Sequence, residues 1–442
     1  MNYPLSRRLP LGLMAAAVIT AISAPVSAYT LHSDNGTEFN LDVEALLGVF
    51  SSRERYNLGA HTEAGSINWQ EGYLKLGLSG SQVLQAESSL YGGIGIVSSA
   101  TWGSGDAGGF TSGNERKTNL ETAYVGWQSG NLIPALGENG MNLSFGRQPF
   151  AIGDGFLING DALNFGDALG DELNRGGAYW LAPRQAFDRT AVLSLGTDEG
   201  LSGDLFWLKS DNVAQSQMKL SGLNLEYGLP YGTFALSYIR GLSVMDGGAS
   251  HRDGQKTTSL RYQGDAGVEN LFLSGEWVTQ TQGDDTAPDA KAWYLETGWT
   301  FADLPFTPSI TYRYSRFEEG FDPLFFGFSR GYGTWFQGEV AANYAGPFNS
   351  DAAVHHIGLA ASLSETLSVG ALYFDFSKTA GGTGALNGRE LDLYAEWVVN
   401  DHLIINPLIG VYRPKHSDAD GGSQIGGKST NLYGQLVAVV LF

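Results

Sequence analysis

The sequence predicts an all-β protein, a transmembrane antiparallel β-barrel of about 18 strands with short periplasmic turns and long extracellular loops; 16 is the other even count it allows. Three observations lead there. A leader for export stands first, apolar and polar residues then alternate at period two through most of the chain, and the connections are short and long in turn. Alternation marks a strand with two different faces. Backbone groups in lipid must all be paired, so a sheet that spans a membrane has to close on itself.

The leader occupies residues 1–28. Arg7 and Arg8 form a short basic start, Leu11 to Ala24 is an apolar stretch too short to span as a helix, and Pro25-Val26-Ser27-Ala28 ends in small residues suited to cleavage. We read residues 1–28 as a secretory signal peptide and residues 29–442 as the barrel. Removing 28 of 442 residues leaves 414, and losing two arginines takes the formal charge from −20 to −22.

Composition narrows the class. Glycine is 61 of 442 residues, aromatics are 12%, and charged residues are only 16%, against about 25% in an average soluble domain. The acidic balance argues against nucleic acid as a partner, because a polyanion needs a basic surface. With no cysteine, disulfides, thiol catalysis and cysteine-based zinc sites are all excluded.

The elements follow from parity. Leu41, Val43, Ala45, Leu47 and Val49 alternate with Asn40, Asp42 and Glu44. Leu271, Leu273, Gly275 and Trp277 alternate with Phe272, Ser274 and Glu276. Trp293, Leu295, Thr297 and Trp299 alternate with Tyr294, Glu296 and Gly298, and Leu391, Leu393, Ala395 and Trp397 with Glu390, Asp392, Tyr394 and Glu396. Segments of about ten residues match the 9–11 that a tilted membrane strand needs, and apolar rows ending in aromatics match interfacial girdles. Short connections fall at Thr197–Gly200, Leu229–Gly232, Asp303–Pro305, Ser364–Thr366 and Asn400–His402. Long ones fall at 102–118, 151–184, 244–254, 281–290, 379–388 and 414–429. Strand-like segments number 19, an odd count that a bacterial barrel with both termini in the periplasm does not permit. Making 318–350 one long external loop, with Trp335–Tyr344 folded over or into the pore, restores 18. The last strand alternates from Leu432 to an aromatic terminus, Phe442, as an outer-membrane insertion signal would.

Several stretches resemble the alginate export family of outer-membrane proteins. They are Glu121-Thr122-Ala123-Tyr124-Val125-Gly126-Trp127, Phe145-Gly146-Arg147-Gln148-Pro149-Phe150, Phe321-Asp322-Pro323-Leu324-Phe325, the run Gly331 to Glu339, and Tyr373-Phe374-Asp375-Phe376. The likeness covers roughly residues 39–442, and Phe321–Phe325 with Thr334–Glu339 is its most specific part. It implies an 18-stranded barrel that exports an anionic polysaccharide through an arginine-lined lumen in the outer membrane of a Gram-negative bacterium. A general or sugar-selective porin for small solutes is the alternative.

A uronate polymer carries carboxylates that arginine grips with two parallel hydrogen bonds. The expected lumen residues are Lys75, Arg261 and Arg313 on the polar parity, with Arg147, Arg189 and Arg240 facing inward through bulges. Glu276 and Glu296 share the lumen with Asp42, Glu44, Glu71, Glu226, Asp375, Asp392 and Glu396. Pairing of these charges across the lumen is the competing structural role. Loop 151–184, with Asp154, Asp161, Asp167, Asp171 and Glu172 before Arg175 and Arg184, is long enough to fold inward. Asp418-Ala419-Asp420 and Asp284-Asp285 lack full calcium-loop spacing and read as solvated loops. No metal or cofactor is expected. Catalysis is not expected either: there is no nucleophile elbow or metalloprotease motif. Of seven histidines only His355 and His356 fall in a predicted strand, one at the interface and one in the lumen or a turn. The expected partners are outer-membrane lipid and lipopolysaccharide around the wall, a polysaccharide or small solute within it, and periplasmic export proteins below.

Overall fold

A computed structural model describes residues 29–197, 199–327, 329–332, 337–379 and 385–441. The predicted leader 1–28, the terminal Phe442 and Gly333 to Phe336 of the resembling run lie outside the described residues. Nineteen strands form one antiparallel sheet. They are β1 (Tyr29–Asp34), β2 (Thr37–Ser52), β3 (Ile67–Val83), β4 (Ser89–Gly103), β5 (Arg116–Gln128), β6 (Met141–Gln148), β7 (Phe187–Leu195), β8 (Gly200–Lys209), β9 (Lys219–Leu229) and β10 (Gly232–Ser243). These are followed by β11 (Lys256–Gly264), β12 (Leu271–Thr281), β13 (Ala290–Thr300), β14 (Ser309–Phe317), β15 (Ala352–Ser364), β16 (Leu367–Thr379), β17 (Gly388–Asn400), β18 (Leu403–Pro414) and β19 (Asn431–Leu441).

Each strand from β2 to β18 pairs with the next in sequence, and β19 returns to β2 from Tyr433 opposite Ser52 to Leu441 opposite Glu44. That closes an 18-stranded barrel and leaves no free edge. β1 is the remaining strand: it pairs with the start of β2, from Tyr29 opposite Leu41 to Asp34 opposite Thr37. The Asn35-Gly36 turn between them has both residues at positive φ, 51° and 76°, the mirror-image turn that fits the twist of a hairpin. His32 lies in β1, so a strand holds a third histidine besides the two expected.

The odd segment resolves as a loop. No strand occurs between β14 and β15 among the described residues; Ala341–Ala345 instead form a short π-helix buried inside the barrel.

The parity reading holds around the wall. Leu47, Leu295, Leu393 and Ile409 face out, while Glu44, Glu296, Asp392 and Leu408 between them are buried. Trp102, Trp277 and Trp293 lie outside toward the long-loop end, and Trp299, Phe301 and Trp397 toward the short-turn end. An apolar exterior between two aromatic rings is what a bilayer requires of a closed sheet. Asp375 departs from the expected parity: Phe374 and Phe376 take the inward row, and Asp375 faces out, held by Arg389 at 3.0 Å.

Candidate functional site

The interior is crossed by two connections, residues 149–186 between β6 and β7 and residues 318–351 between β14 and β15. The first reaches walls on nearly opposite sides. At one end the backbone of Gly153 lies against the Arg261 guanidinium of β11, and Asp154 accepts a hydrogen bond from Tyr294 of β13 at 2.9 Å. Further along, the Ala178 amide donates to Thr101 of β4 at 2.8 Å. The amides of Trp180 and Leu181 donate to Glu71 of β3 at 2.9 and 3.0 Å.

The second connection locks onto the first. Phe325 donates to the Leu157 carbonyl at 3.0 Å, and Asn159 donates to the Phe325 carbonyl at 2.7 Å. The Trp180 indole N–H reaches Glu339 at 2.8 Å. Three successive amides, of Glu339, Val340 and Ala341, converge on Glu390 of β17 at 2.6 to 2.8 Å. Asp322 fixes the start of this connection: Arg252 grips it with two bonds of 2.6 and 2.7 Å, and His251 adds a third at 3.2 Å.

Two charge clusters border the crossing. On one wall Arg330 binds Glu296 at 2.8 and 2.9 Å and Asp154 at 3.0 Å, over the ring of Phe272. Glu296 also takes Arg313 at 3.4 Å, and Arg261 binds Glu226 at 2.6 Å. Glu276 stands opposite Arg261 in the register and accepts from Ser259 at 2.5 Å. On the other side three buried arginines converge on Asp211, in the connection between β8 and β9. Arg175 lies at 3.3 Å, Arg184 at 3.0 Å, and Arg147 joins them. Arg175 also holds Asp161 at 3.1 Å, and Arg147 holds Asp188 at 3.1 Å. Burial alone would push the Asp211 carboxyl up; the three guanidiniums outweigh it and hold it below the usual range.

Of the eight expected pore residues, five face inward on regular parity as read. Those five are Lys75, paired with Glu44 at 3.0 Å, and Arg261, Arg313, Glu276 and Glu296, with Arg147 arriving by a different route. The β6–β7 register shifts between Gly146 and Gln148, and Gly146 sits at φ 123°, which turns Arg147 inward. Arg189 and Arg240 do not join the lumen. Arg189 lies on the outer row of β7 with its side chain 70% exposed. Arg240 shares the outer row of β10 with Phe234, Leu236 and Tyr238 because no bulge intervenes before it. His355 faces out to Tyr312 at 2.8 Å, and His356 is buried against Phe374. Arg330, Asp211, Arg252 and Asp322 come from connections, where period-two alternation assigns no face.

The likeness to solved proteins lies in the fold. No family model matches the chain, and no curated protein does. Among solved structures it is similar to Acinetobacter baumannii OccAB4, with a TM-score of 0.56 at 11% identity over 90% of this chain and 97% of that one. It is similar to Pseudomonas aeruginosa OccK3 (OpdO), with a TM-score of 0.54 at 12% identity over 91% and 95%. Pseudomonas aeruginosa OccK11 (OpdR) matches at 0.51 and 13% identity over 90% and 95%. The chain has the fold of a Gram-negative outer-membrane porin. The crossing of the two connections lies in the half of the barrel nearer the long loops. The likeness to the alginate export family remains one of motifs.

Proposed function

We propose that this barrel is a passive channel for small polar solutes that are neutral or positively charged, sugars among them. The observation that carries this reading is the way the inner charges pair. Lys75, Arg147, Arg175, Arg184, Arg252 and Arg261 each face a carboxylate within the lumen, as do Arg313 and Arg330. Glu71, Glu390 and Asp392 are as deeply buried and have no cation partner among the described residues. These inner cations are therefore each answered by a carboxylate, which leaves them little pull on a polyanion. Tyr, Trp and Phe rings on the inner wall offer sugar rings weak, repeated contact, which lets a solute leave as well as enter. The solute moves down its own gradient, and no bond is made or broken.

Reversal potentials in planar bilayers under a KCl gradient test this. We expect potassium to be favoured over chloride and neutral oligosaccharides to block more strongly than a uronate oligomer. Chloride preference together with block by the uronate would overturn it.

A second reading, export of an alginate-like polyuronate, is favoured by one observation: Arg147, Arg175 and Arg184 gather at one place, where forked donors could pass carboxylates along. It predicts uronate block that disappears in an Arg175→Gln, Arg184→Gln barrel.

A further inference from the structure

The wall carries cations outside as well as in. Arg189, Lys209, Lys219, Arg240 and Lys256 stand on the outer rows at the long-loop ends of five consecutive strands, β7 to β11. The register sets Arg189 opposite Lys209, Lys209 opposite Lys219, and Arg240 opposite Lys256. Adjacent strands lie about 4.8 Å apart, so the first three share a row about 10 Å long. Like charges opposite one another destabilise a sheet. Asp188 answers part of this, at 3.6 Å from Arg189 and 3.2 Å from Lys209. Lys219, Arg240 and Lys256 have no carboxylate partner among the described residues.

Below these charges the outer face is grooved. A depression of about 520 Å³ runs between Leu193, Leu205, Trp207, Leu223 and Tyr238, with Arg240 at its upper end. The opposite end of the barrel has the reverse charge: the short turns carry Glu87, Glu138, Asp265, Asp303 and Glu365 and contain no lysine or arginine. Among the described residues, uncompensated cations thus occur at one height only, that of the outer-leaflet headgroups, directly above a lipid-facing groove.

We propose that this patch binds a lipopolysaccharide molecule through the phosphates of its lipid A headgroup, with an acyl chain lying in the groove. Phosphate suits the geometry. Arg240 supplies a planar fork, and Lys219 and Lys256 supply point charges on either side of it. A headgroup with two phosphates spans cations on neighbouring strands, which a phospholipid with a single phosphate cannot do. The acyl chain meets leucines where the outer row turns from charged to apolar.

The test is a binding titration on the full-length folded barrel in detergent, read by native mass spectrometry. The probes are bisphosphorylated lipid A, monophosphoryl lipid A and phosphatidylglycerol. We expect lipid A to bind tightest and the monophosphoryl form more weakly. A Lys219→Ser, Arg240→Ser, Lys256→Ser barrel should lose roughly tenfold or more in lipid A affinity and keep its conductance. Should that barrel not fold, Arg240→Gln alone is read, with a loss of roughly threefold expected. Unchanged lipid A affinity in the readable variant, or phosphatidylglycerol binding as tightly as lipid A, would overturn the proposal.

Discussion

Arg330, carried on the long connection between β14 and β15, closes on Glu296 of β13 through two hydrogen bonds of 2.8 and 2.9 Å. Thirty-four positions separate the two residues, and their bond pins a mobile class of element, a loop, to the rigid wall. The same guanidinium reaches Asp154 of the other crossing connection at 3.0 Å. One side chain therefore joins both connections to the barrel.

Replacing Arg330 should loosen both. Arg330→Ala removes charge-assisted bonds and leaves Glu296 to Arg313 alone. A cost of about 1–3 kcal/mol to the closed arrangement follows, or roughly a 5- to 150-fold rise in the released fraction. Single-channel recordings should show larger and noisier openings than the parent, and Arg330→Lys should recover part of the steady level. An unchanged conductance would mean that the loop does not limit the path.

Loop docking should depend on pH through Glu339. Burial pushes its carboxyl from 4.5 up to about 8; the Trp180 indole opposes this and the nearby Glu390 charge adds to it. The docked loop thus holds a proton that the released loop gives up near 4.5. Docking is strongest at low pH and weakens as pH rises through the window from about 4.5 to about 8. Protease cleavage within 318–351 should be faster at pH 9 than at pH 5, and Glu339→Gln should flatten that difference.

Asp322 should behave in the opposite sense. Burial would raise its carboxyl, but the Arg252 charge and the bonds from His251 and Arg252 hold it well below the ordinary range. Its contribution is present above the ordinary aspartate value near 3.9 and is lost only in stronger acid. Asp322→Asn should therefore weaken the β14–β15 connection at pH 7, seen as added cleavage there, with the effect shrinking step by step as pH falls below the ordinary aspartate value.

Gly146 is a position where a side chain has no room. At φ 123° an added Cβ would meet the Ala123 carbonyl oxygen at 2.3 Å. Gly146→Ala should cost about 1–3 kcal/mol or more in backbone strain and draw Arg147 away from Asp211. The heat needed to shift the folded band on a denaturing gel should fall clearly below that of the parent.

The outer wall offers a control on the whole architecture. Leu295 sits at the middle of β13, facing out and 64% exposed. Leu295→Arg should cost about 2–4 kcal/mol in folding titrations into lipid vesicles. A neutral outcome would mean that this face never meets hydrocarbon.

Much of this was legible in the amino-acid order. Period-two alternation fixes which side chains share a face, and it places Lys75, Arg261, Arg313, Glu276 and Glu296 inside. Parity also forced 318–350 to be a loop, because an even strand count is a property of closure. The expected bulges are missing at Arg189 and Arg240, which lie near strand ends and keep the outer row of plain alternation, while at Asp375 the neighbours Phe374 and Phe376 take the inner row instead. There a bulge either occurs, as it does at Gly146, or does not, and the sequence looks the same in both cases.

By itself, then, the sequence determined a closed wall with grease outside and charge inside, since local periodicity alone sets the two faces of every strand. Only the tertiary structure decided what fills that wall. The pairings of Arg330 with Glu296, of Asp322 with Arg252, and of three arginines with Asp211 join residues far apart in the chain, and connections obey no repeat from which such partners could be read.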